Sequence, residues 1–395
     1  MKCIFRMQHS IAVLLLALPG LAAAQIHALM NYETKSPESL KVLKTPVATG
    51  PRKDGIAVID VDPKSKTFGK IVEDLPIPAD WMSHHIFYNK DQTKAYVTSL
   101  GKSEVGVIDL GKRPIKMKVV GVPDCQVGED VVFSDDNKRW YLTCMGSQRV
   151  IAGDAVADKP TKTIMLQAKY PHGIAIHEGI DRMLTTSTVR PADSGDAGEV
   201  IEAVELSTGK SLKTYKVSTK KSPAGEAPVE VLFVPKSNPP VAYVTNLFGG
   251  TLWMAKWNPA KKDFDVELAY DFSAQGMGVA LEMYFNKAVD RMYVTTGKPG
   301  HMHIFDVKGA NVTKPKLLKS IPAAEGAHHI AFTKDGRYAY VQNALLNLPG
   351  LSDGSITVVD MKSEKAIGSM DTLKNMGMNP NCIVLLPKWN DLAGH

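Results

Sequence analysis

The stretch HHIFYNKDQTKAYVTSLGKSEVGVIDL, residues 84–110, decides the fold of this chain. It begins with a short apolar strand, continues through a turn rich in Asn, Lys, Asp and Gln, and reaches a second strand that ends in Tyr-Val-Thr. A third strand, VGVIDL, ends in Asp at the next turn. Alternation and β-branched residues are typical of strands rather than helices. The stretch therefore predicts a unit of antiparallel strands.

The same pattern recurs along the chain, with EDVVFSDDNKRWYLTC from residue 129, LEMYFNKAVDRMYVTTG from residue 281 and HHIAFTKDGRYAYVQN from residue 328. In these copies the first residue precedes the second-strand Tyr by the same number of positions. Looser copies start at His172 and Val229, and a truncated copy starts at Asn381. A fourth, weaker strand joins each copy to the next, and four antiparallel strands form one blade of a β-propeller. Seven starts predict an all-β, seven-bladed β-propeller.

The last copy ends near residue 387 and lacks its outer strands. The N-terminal part contains three predicted strands that precede the first repeat copy. They are IHALMNY from residue 26, GIAVIDVD from residue 55 and FGKIVEDL from residue 68. We expect the last blade to be closed by N- and C-terminal strands, because mixed closure removes a free sheet edge. This closure predicts a single β-propeller domain over residues 25–395.

The N-terminus has the pattern of a secretory signal over residues 1–24. Lys2 and Arg6 give a basic start, an apolar run follows, and small residues end it at Ala22–Ala24. An uncleaved membrane anchor is the alternative, but the apolar run is too short to span a bilayer. The pattern predicts a periplasmic or secreted protein with no membrane span after the signal is removed.

Composition excludes some classes of function. Hydrophobic residues make up 44% of the chain and charged residues 22%, which is ordinary for a globular protein. Lys and Arg total 47 against 41 Asp and Glu, and the basic residues are scattered. Nucleic-acid binding therefore has no support.

Two of the cysteines are placed where a disulfide could form. Cys125 and Cys144 lie just before one predicted strand and at the end of the next, in a single hairpin. An exported protein can oxidise such thiols, so a disulfide between them is plausible. Cys382 would then be unpaired, and we interpret it as a small buried apolar side chain.

Histidines and acidic residues open the repeats. In a propeller the innermost strand of every blade starts at the same face, so the residues at those starts can converge on the central channel. The two residues that open each copy are His84-His85, Glu129-Asp130, His172-Gly173, Val229-Glu230, Leu281-Glu282, His328-His329 and Asn381-Cys382. These positions hold five of the eleven histidines. A core or surface role for a lone histidine does not explain five at equivalent positions.

We therefore predict a metal site at this end of the channel. Its metal ligands are His84, His85, His172, His328 and His329, with Asp130. Imidazole is the commonest protein ligand for copper and zinc, and carboxylates suit zinc or iron or orient the imidazoles. No Cys-x-x-Cys pair supports a structural zinc knot. A polar pore without metal is the alternative.

Two further groups of residues bear on this site. Glu230 and Glu282 are predicted catalytic residues, because a buried carboxylate with a raised pKa can act as a general base.

His301 and His303 alternate on a third strand and share one side. A third-strand position is usually away from the axis, which favours a structural role for this second pair.

The Tyr-Val-Thr-Asn-type repeats, from about residue 55 to 387, resemble the YVTN family of bacterial propellers. This resemblance is specific for the fold and weak for the function, because one fold hosts many kinds of site. The segments Ser-His-His, Pro-His-Gly and Ala-His-His, at residues 83–85, 171–173 and 327–329, look like those of nitrous oxide reductase and thiocyanate dehydrogenase. Both bind copper clusters through histidines at inner-strand starts of a seven-bladed propeller. The resemblance implies that His84, His85, His172, His328 and His329 are copper ligands.

Two departures limit this second resemblance. Glu230 and Glu282 stand where a full copper cluster would have further histidines, and no second copper domain of the nitrous oxide reductase kind is visible. Copper is the favoured metal, and fewer copper ions, or zinc or iron in its place, are the alternatives.

These observations predict a secreted, metal-dependent oxidoreductase. Its small-molecule substrate would be a small inorganic or one-carbon sulfur or nitrogen compound, since a narrow channel passes only small molecules. A redox metal needs an electron acceptor outside the chain, so a periplasmic acceptor or partner protein is implied. A non-catalytic propeller that binds a protein partner or delivers metal is the alternative.

Overall fold

A computed structural model of the chain describes residues 25–35, 53–190, 195–219 and 226–393. The predicted signal, residues 1–24, lies outside the described residues. Within the described ranges the strands form seven sheets, six of four strands and one of five. The prediction of an all-β, seven-bladed β-propeller is confirmed.

The strands follow one another as antiparallel ladders, with one blade for each repeat. The N-terminal three are β1 (His27–Thr34), β2 (Asp54–Asp60) and β3 (Ile71–Ile77). The first two blades are β4 (Ser83–Tyr88), β5 (Lys94–Ser99), β6 (Glu104–Asp109) and β7 (Met117–Gly121), then β8 (Gly128–Phe133), β9 (Arg139–Cys144), β10 (Arg149–Asp154) and β11 (Lys159–Met165). The third and fourth are β12 (Pro171–His177), β13 (Arg182–Ser187), β14 (Val200–Glu205) and β15 (Lys210–Lys216), then β16 (Pro228–Phe233), β17 (Val241–Asn246), β18 (Thr251–Asn258) and β19 (Asp263–Asp271). The fifth is β20 (Gly278–Phe285), β21 (Arg291–Lys298), β22 (Gly300–Asp306) and β23 (Lys316–Pro322).

The C-terminal part completes the ring. The sixth blade is β24 (Ala327–Thr333), β25 (Tyr338–Asn343), β26 (Ile356–Asp360) and β27 (Lys365–Met370), and the last strands are β28 (Met378–Leu385) and β29 (Asn390–Asp391). Helices in the described ranges are short: α1 (Thr372–Asn375) and 3-10 turns at Met145–Ser147, Glu178–Ile180, Ser273–Gln275 and Gly309–Thr313. None of these described helices is long and apolar enough to cross a membrane.

The seventh blade joins the two ends of the chain. Strand β28 pairs with β1, and β1 continues to β2 and β3 in the order β28-β1-β2-β3. The predicted closure by N- and C-terminal strands is confirmed. Strand β29 adds a fifth strand to the sixth blade by pairing with β24.

Apolar clusters between neighbouring blades form the core. Tyr340 of the sixth blade packs with Met30 of the seventh, and Ile86 of the first blade packs with Leu29 of the seventh. Tyr96 fills the equivalent space between the first and second blades. Burial of apolar area at these seams stabilises the ring at about 25 cal/mol per Å².

A pairing irregularity opens every inner strand. The register shifts between Ser83 and Ile86 in β4, and equivalent shifts occur in β8, β12, β16, β20 and β24, with one more opposite β28. An extra residue bends the strand and re-aims its side chains. Two consecutive residues of one strand, such as His84 and His85, can therefore reach the same site.

The predicted disulfide between Cys125 and Cys144 is present. Cys144 pairs in register with Gly128, the first residue of β8. The bond therefore ties the end of β9 to the segment that leads into the inner strand of the second blade. Cys382 is free and buried, in agreement with its interpretation as a small buried side chain.

Candidate metal centre

Nine titratable side chains meet at the starts of the inner strands. They are His84, His85, Glu129, Asp130, His172, Glu230, Glu282, His328 and His329, and all are buried, with His172 the most exposed at 8%. The set contains every predicted site residue and adds Glu129. The cluster lies inside the molecule and not at an open channel mouth.

His85 is the centre of the histidine group. Its ring centroid lies 3.7 Å from that of His84, 4.7 Å from that of His329, 5.6 Å from that of His172 and 5.9 Å from that of His328. These five imidazoles come from the first, third and sixth blades. Their convergence agrees with the expectation that equivalent repeat positions meet on the axis.

Glu129 links the first and third blades, and sequence reasoning did not assign it to the site. Its Oε2 lies 3.0 Å from His84 Nε2 and 3.5 Å from His172 Nε2. The signal was present in the sequence, since Glu129 opens the same repeat as Asp130. Only Asp130 was placed at the site, although the bulge brings both residues there.

Asp130 and Glu230 each approach a histidine ring nitrogen. Asp130 Oδ1 lies 2.8 Å from His85 Nδ1, a hydrogen bond that fixes the orientation of this ring. Glu230 Oε1 lies 3.1 Å from His172 Nδ1, and Asp130 Oδ2 lies 3.8 Å from the same atom. A carboxylate that binds one imidazole nitrogen commonly prepares the other for a metal.

Glu282 lies beside the histidine pair of the sixth blade. Its Oε1 is 3.3 Å from His328 Nε2 and 3.7 Å from His329 Nδ1. The hydroxyl of Tyr284 is 3.4 Å from His329 Nδ1 and accepts the backbone N–H of Ile330 at 3.1 Å. Sequence reasoning missed Tyr284, which lies two residues beyond Glu282 on the same inner strand.

Burial shifts the pKa values of this cluster away from the charged forms. Desolvation, with the neighbouring Asp130, raises the pKa of Glu129 to about 8. Desolvation also raises the pKa of Glu230 well above its usual value. Desolvation, with the nearby histidines, lowers the pKa of His84 to about 3 and that of His329 well below its usual value. Neutral imidazoles are the form that binds metal, and a bound cation would favour the ionised carboxylates.

The donor atoms form three overlapping groups that could each hold a metal ion. The groups are His84, His85, Glu129 and His172; His85, His328 and His329; and Asp130, His172 and Glu230. Ligand atoms within each group lie within 4.8 Å of one another. Since His85 and His172 are each shared between two groups, the cluster offers adjoining positions and not three independent sites.

Unpartnered ring nitrogens support the fit to a metal. His84 Nδ1 and His329 Nε2 are buried, with no hydrogen-bond partner among the described residues. A buried polar atom without a partner is costly, and such atoms are rare. A nitrogen-rich donor set with some carboxylates suits copper, zinc or iron. The residues present therefore fit a metal ion.

A second-strand side chain holds six of the seven bulges in place. The backbone N–H groups of His85, Asp130, Gly173, Glu230, Glu282 and His329 donate to side-chain oxygens of Thr98, Thr143, Thr186, Thr245, Thr295 and Gln342, respectively. The Thr143 hydroxyl also donates to the carbonyl oxygen of His172 in the next blade. The recurring Thr of the Tyr-Val-Thr motif therefore positions the site residues.

The second histidine pair is not part of the cluster. His303 Nε2 lies 2.9 Å from Thr296 Oγ1, and His303 Nδ1 lies 2.8 Å from Ser320 Oγ. Its two ring nitrogens thus have hydrogen-bond partners, and the ring of His301 stacks beside it at 5.7 Å. This arrangement agrees with the structural role expected from the third-strand position.

Comparison with known proteins supports the fold. A hypothetical selenium-binding protein from Sulfolobus tokodaii is similar over 91% of this chain and 94% of its own, with a TM-score of 0.68 and 13% identity. A functionally unknown protein from Desulfotomaculum acetoxidans is similar over 86% of this chain and 95% of its own, with a TM-score of 0.58 and 15% identity. Kuenenia stuttgartiensis hydrazine synthase is similar over 71% of this chain and 77% of its own, with a TM-score of 0.53 and 14% identity.

Sequence comparison alone assigns this chain to no protein family. No protein-family model matches the chain, and no curated protein matches it in sequence. The resemblances to YVTN propellers and to copper enzymes therefore stay interpretations of the repeats and of the histidine pattern. At these levels of identity the solved structures show a shared fold and nothing of the chemistry.

Proposed function

We propose that this protein is a secreted copper-binding oxidoreductase whose metal centre is the buried histidine and carboxylate cluster. The observation that carries the proposal is the convergence of five imidazoles from three blades around His85, where His84 Nδ1 and His329 Nε2 have no hydrogen-bond partner in the part of the chain that the structure describes. Neutral imidazoles favour copper over the harder cations that prefer oxygen ligands. Zinc and iron remain the alternative metals.

The chain's own residues have distinct roles in this proposal. The five histidines hold the metal, and Asp130 keeps the ring of His85 in one orientation through its 2.8 Å contact. Glu230 and Glu282 take or give a proton at Oε1, and burial raises the pKa of Glu230 well above its usual value, which favours the protonated carboxyl. Copper, when bound, would supply one-electron redox chemistry. The substrate would be a small inorganic or one-carbon sulfur or nitrogen compound, and a periplasmic protein would accept the electrons.

Elemental analysis tests the metal. The protein is purified after copper supply, and copper, zinc and iron are measured in the parent and in the variants His85→Ala, His329→Ala and His301→Ala. The parent and His301→Ala should carry copper, because His301 lies outside the cluster. His85→Ala and His329→Ala should lose it while circular dichroism shows a folded protein. Absence of all three metals from the parent would remove the proposal.

The role of the carboxyl groups is tested separately. Glu230→Gln keeps the size of the side chain and removes its ability to exchange a proton. With copper retained, an oxidoreductase that uses this group should lose turnover of a small thiol or sulfide, and the pH dependence of the residual rate should change. A protein that only delivers metal would pass copper to a chelating acceptor equally well with Glu or Gln at this position.

A further inference from the structure

A cavity of about 430 Å³ connects the cluster with solvent. Glu230, Glu282 and His329 line its inner part and are buried, whereas Asp135 and Lys236, which follow inner strands β8 and β16, line its outer part and are exposed. Inner strands rise about 3.3 Å per residue, so the cavity follows their length. It opens at the face where these strands end, away from the cluster.

Apolar side chains surround the cavity next to the cluster. Six of the seven inner strands carry an apolar residue two positions after the second residue of their opening pair. These residues all line the cavity and are Phe87, Val132, Ala175, Leu232, Ala331 and Val384. We call this set the apolar collar. Tyr284 occupies the equivalent position in β20 and places a hydroxyl beside His329. A molecule that enters from the open face must pass the collar before it reaches the metal ligands.

The charges along this route disfavour anions. Among the described residues that line the cavity, the cationic ones are Lys90 and Lys236, and both follow the ends of their strands at the outer part. The inner part presents the carboxyl groups of Asp130, Glu230 and Glu282. In the metal-free protein, an anion in the inner part of this apolar passage meets no lysine or arginine among the described lining residues, and burial of an unpaired charge is strongly unfavourable.

We propose that the collar is the substrate passage of this protein and that it admits small, uncharged, largely apolar molecules. This inference rests on the proposed function for the cluster and narrows its substrate class. It favours an uncharged thiol, sulfide or nitrogen compound over an inorganic anion such as thiocyanate. Tyr284, at the equivalent position of β20, places its hydroxyl 3.5 Å from Glu282 Oε2, where the polar end of such a molecule would meet both groups.

Xenon and iodide form a matched pair of probes, because they are isoelectronic and differ in charge. Crystals of the metal-free protein are placed under xenon pressure or soaked in iodide, and anomalous scattering locates each atom. Xenon binds dry apolar cavities, so it should occupy the collar, while iodide should be absent there. Iodide in the collar, or a collar without xenon, would overturn the proposal.

Variants test whether the collar itself binds the probe. Val132→Trp fills space in the passage, and Val156→Trp, at a position 73% exposed on the surface, is the control. Xenon occupancy should be lost in Val132→Trp and kept in Val156→Trp, with equal copper content in both. Val384→Trp, on another inner strand, repeats the test should Val132→Trp fail to fold. Unchanged xenon occupancy in a folded collar variant would place the passage elsewhere.

The probes need no metal, so the two proposals fail separately. Xenon in the collar of a protein that binds no copper would support the passage and contradict the proposed copper-dependent oxidoreductase. Copper in a protein whose collar binds no xenon would support the metal centre and contradict the proposed passage. Turnover of a neutral methyl thiol in preference to thiocyanate by the copper-loaded protein would support both.

Discussion

At the scale of single residues, Asp130 is the side chain whose role differs most from that of a simple ligand. Its Oδ1 lies 2.8 Å from His85 Nδ1, and His85 is central to the cluster. Asp130→Asn keeps the shape and removes the charge, so copper affinity should fall about 10- to 100-fold, the usual range for groups that orient metal ligands. Competition with a chelator measures this affinity. The same change at exposed Asp135 should leave it unchanged, and equal affinities for both variants would contradict the assignment.

His303 should make stability depend on pH. Desolvation, with His301 nearby, lowers its pKa to about 3, whereas an unfolded histidine titrates near 6.5. Between these values the unfolded chain binds the proton and the folded chain does not, so the free energy of unfolding falls as pH decreases. The contribution is about 1.4 kcal/mol per pH unit in this window, or about 2 kcal/mol at pH 5.

Urea unfolding at pH 7 and pH 5 checks this effect. His303→Gln retains a hydrogen-bonding amide between Thr296 and Ser320 but cannot titrate. The parent should lose more stability between the two pH values than the variant does. An equal loss in both proteins would show that other groups, such as the histidines of the cluster, account for the acid sensitivity.

At the scale of strands, the sequence could indicate where the site is but not how two neighbouring residues share it. Side chains of a regular strand alternate between faces, so His84 and His85 would be expected to diverge. The bulge that brings them together appears in the strand register and has no residue signature of its own. For the same reason Glu129 was left out beside Asp130. The repeat spacing located the positions, and the backbone irregularity doubled the number of side chains that reach the axis.

The threonines that hold the bulges give a strand-scale prediction. Thr186 Oγ1 accepts the N–H of Gly173 at 2.8 Å and donates to the carbonyl of Val229 at 2.7 Å. Thr186→Val leaves both buried backbone groups without this partner, which should cost about 1–3 kcal/mol. Thr185 is the matched control, because its buried Oγ1 has no hydrogen-bond partner among the described residues. Thr185→Val should be neutral or stabilising in urea unfolding; a similar loss in both variants would remove the special role of Thr186.

At the scale of the whole molecule, repeats and missing strands were sufficient to predict the ring. Each predicted repeat start falls within the first four residues of an inner strand, as Asn381 does in β28. The count of seven followed from spacing, and the closure followed from a last copy without outer strands. The cavity and the buried state of the cluster were not predictable, because they depend on how seven strands pack around one axis.

Closure predicts that the ring unfolds as one unit, as expected for a single domain over residues 25–395. Leu29 of β1 is fully buried and packs with Ile86 of the first blade, so it joins the two ends of the ring. Leu29→Ala should cost about 2–5 kcal/mol. Because the seventh blade holds its neighbours on both sides, loss of this contact should lower the melting temperature of the whole ring. Circular dichroism and copper release should report the same single transition. Val72→Ala, on the outer strand of the same blade and 44% exposed, should change it little. Two separate transitions in Leu29→Ala, with copper retained after the first, would show that the seventh blade opens locally and that the ring does not depend on its closure.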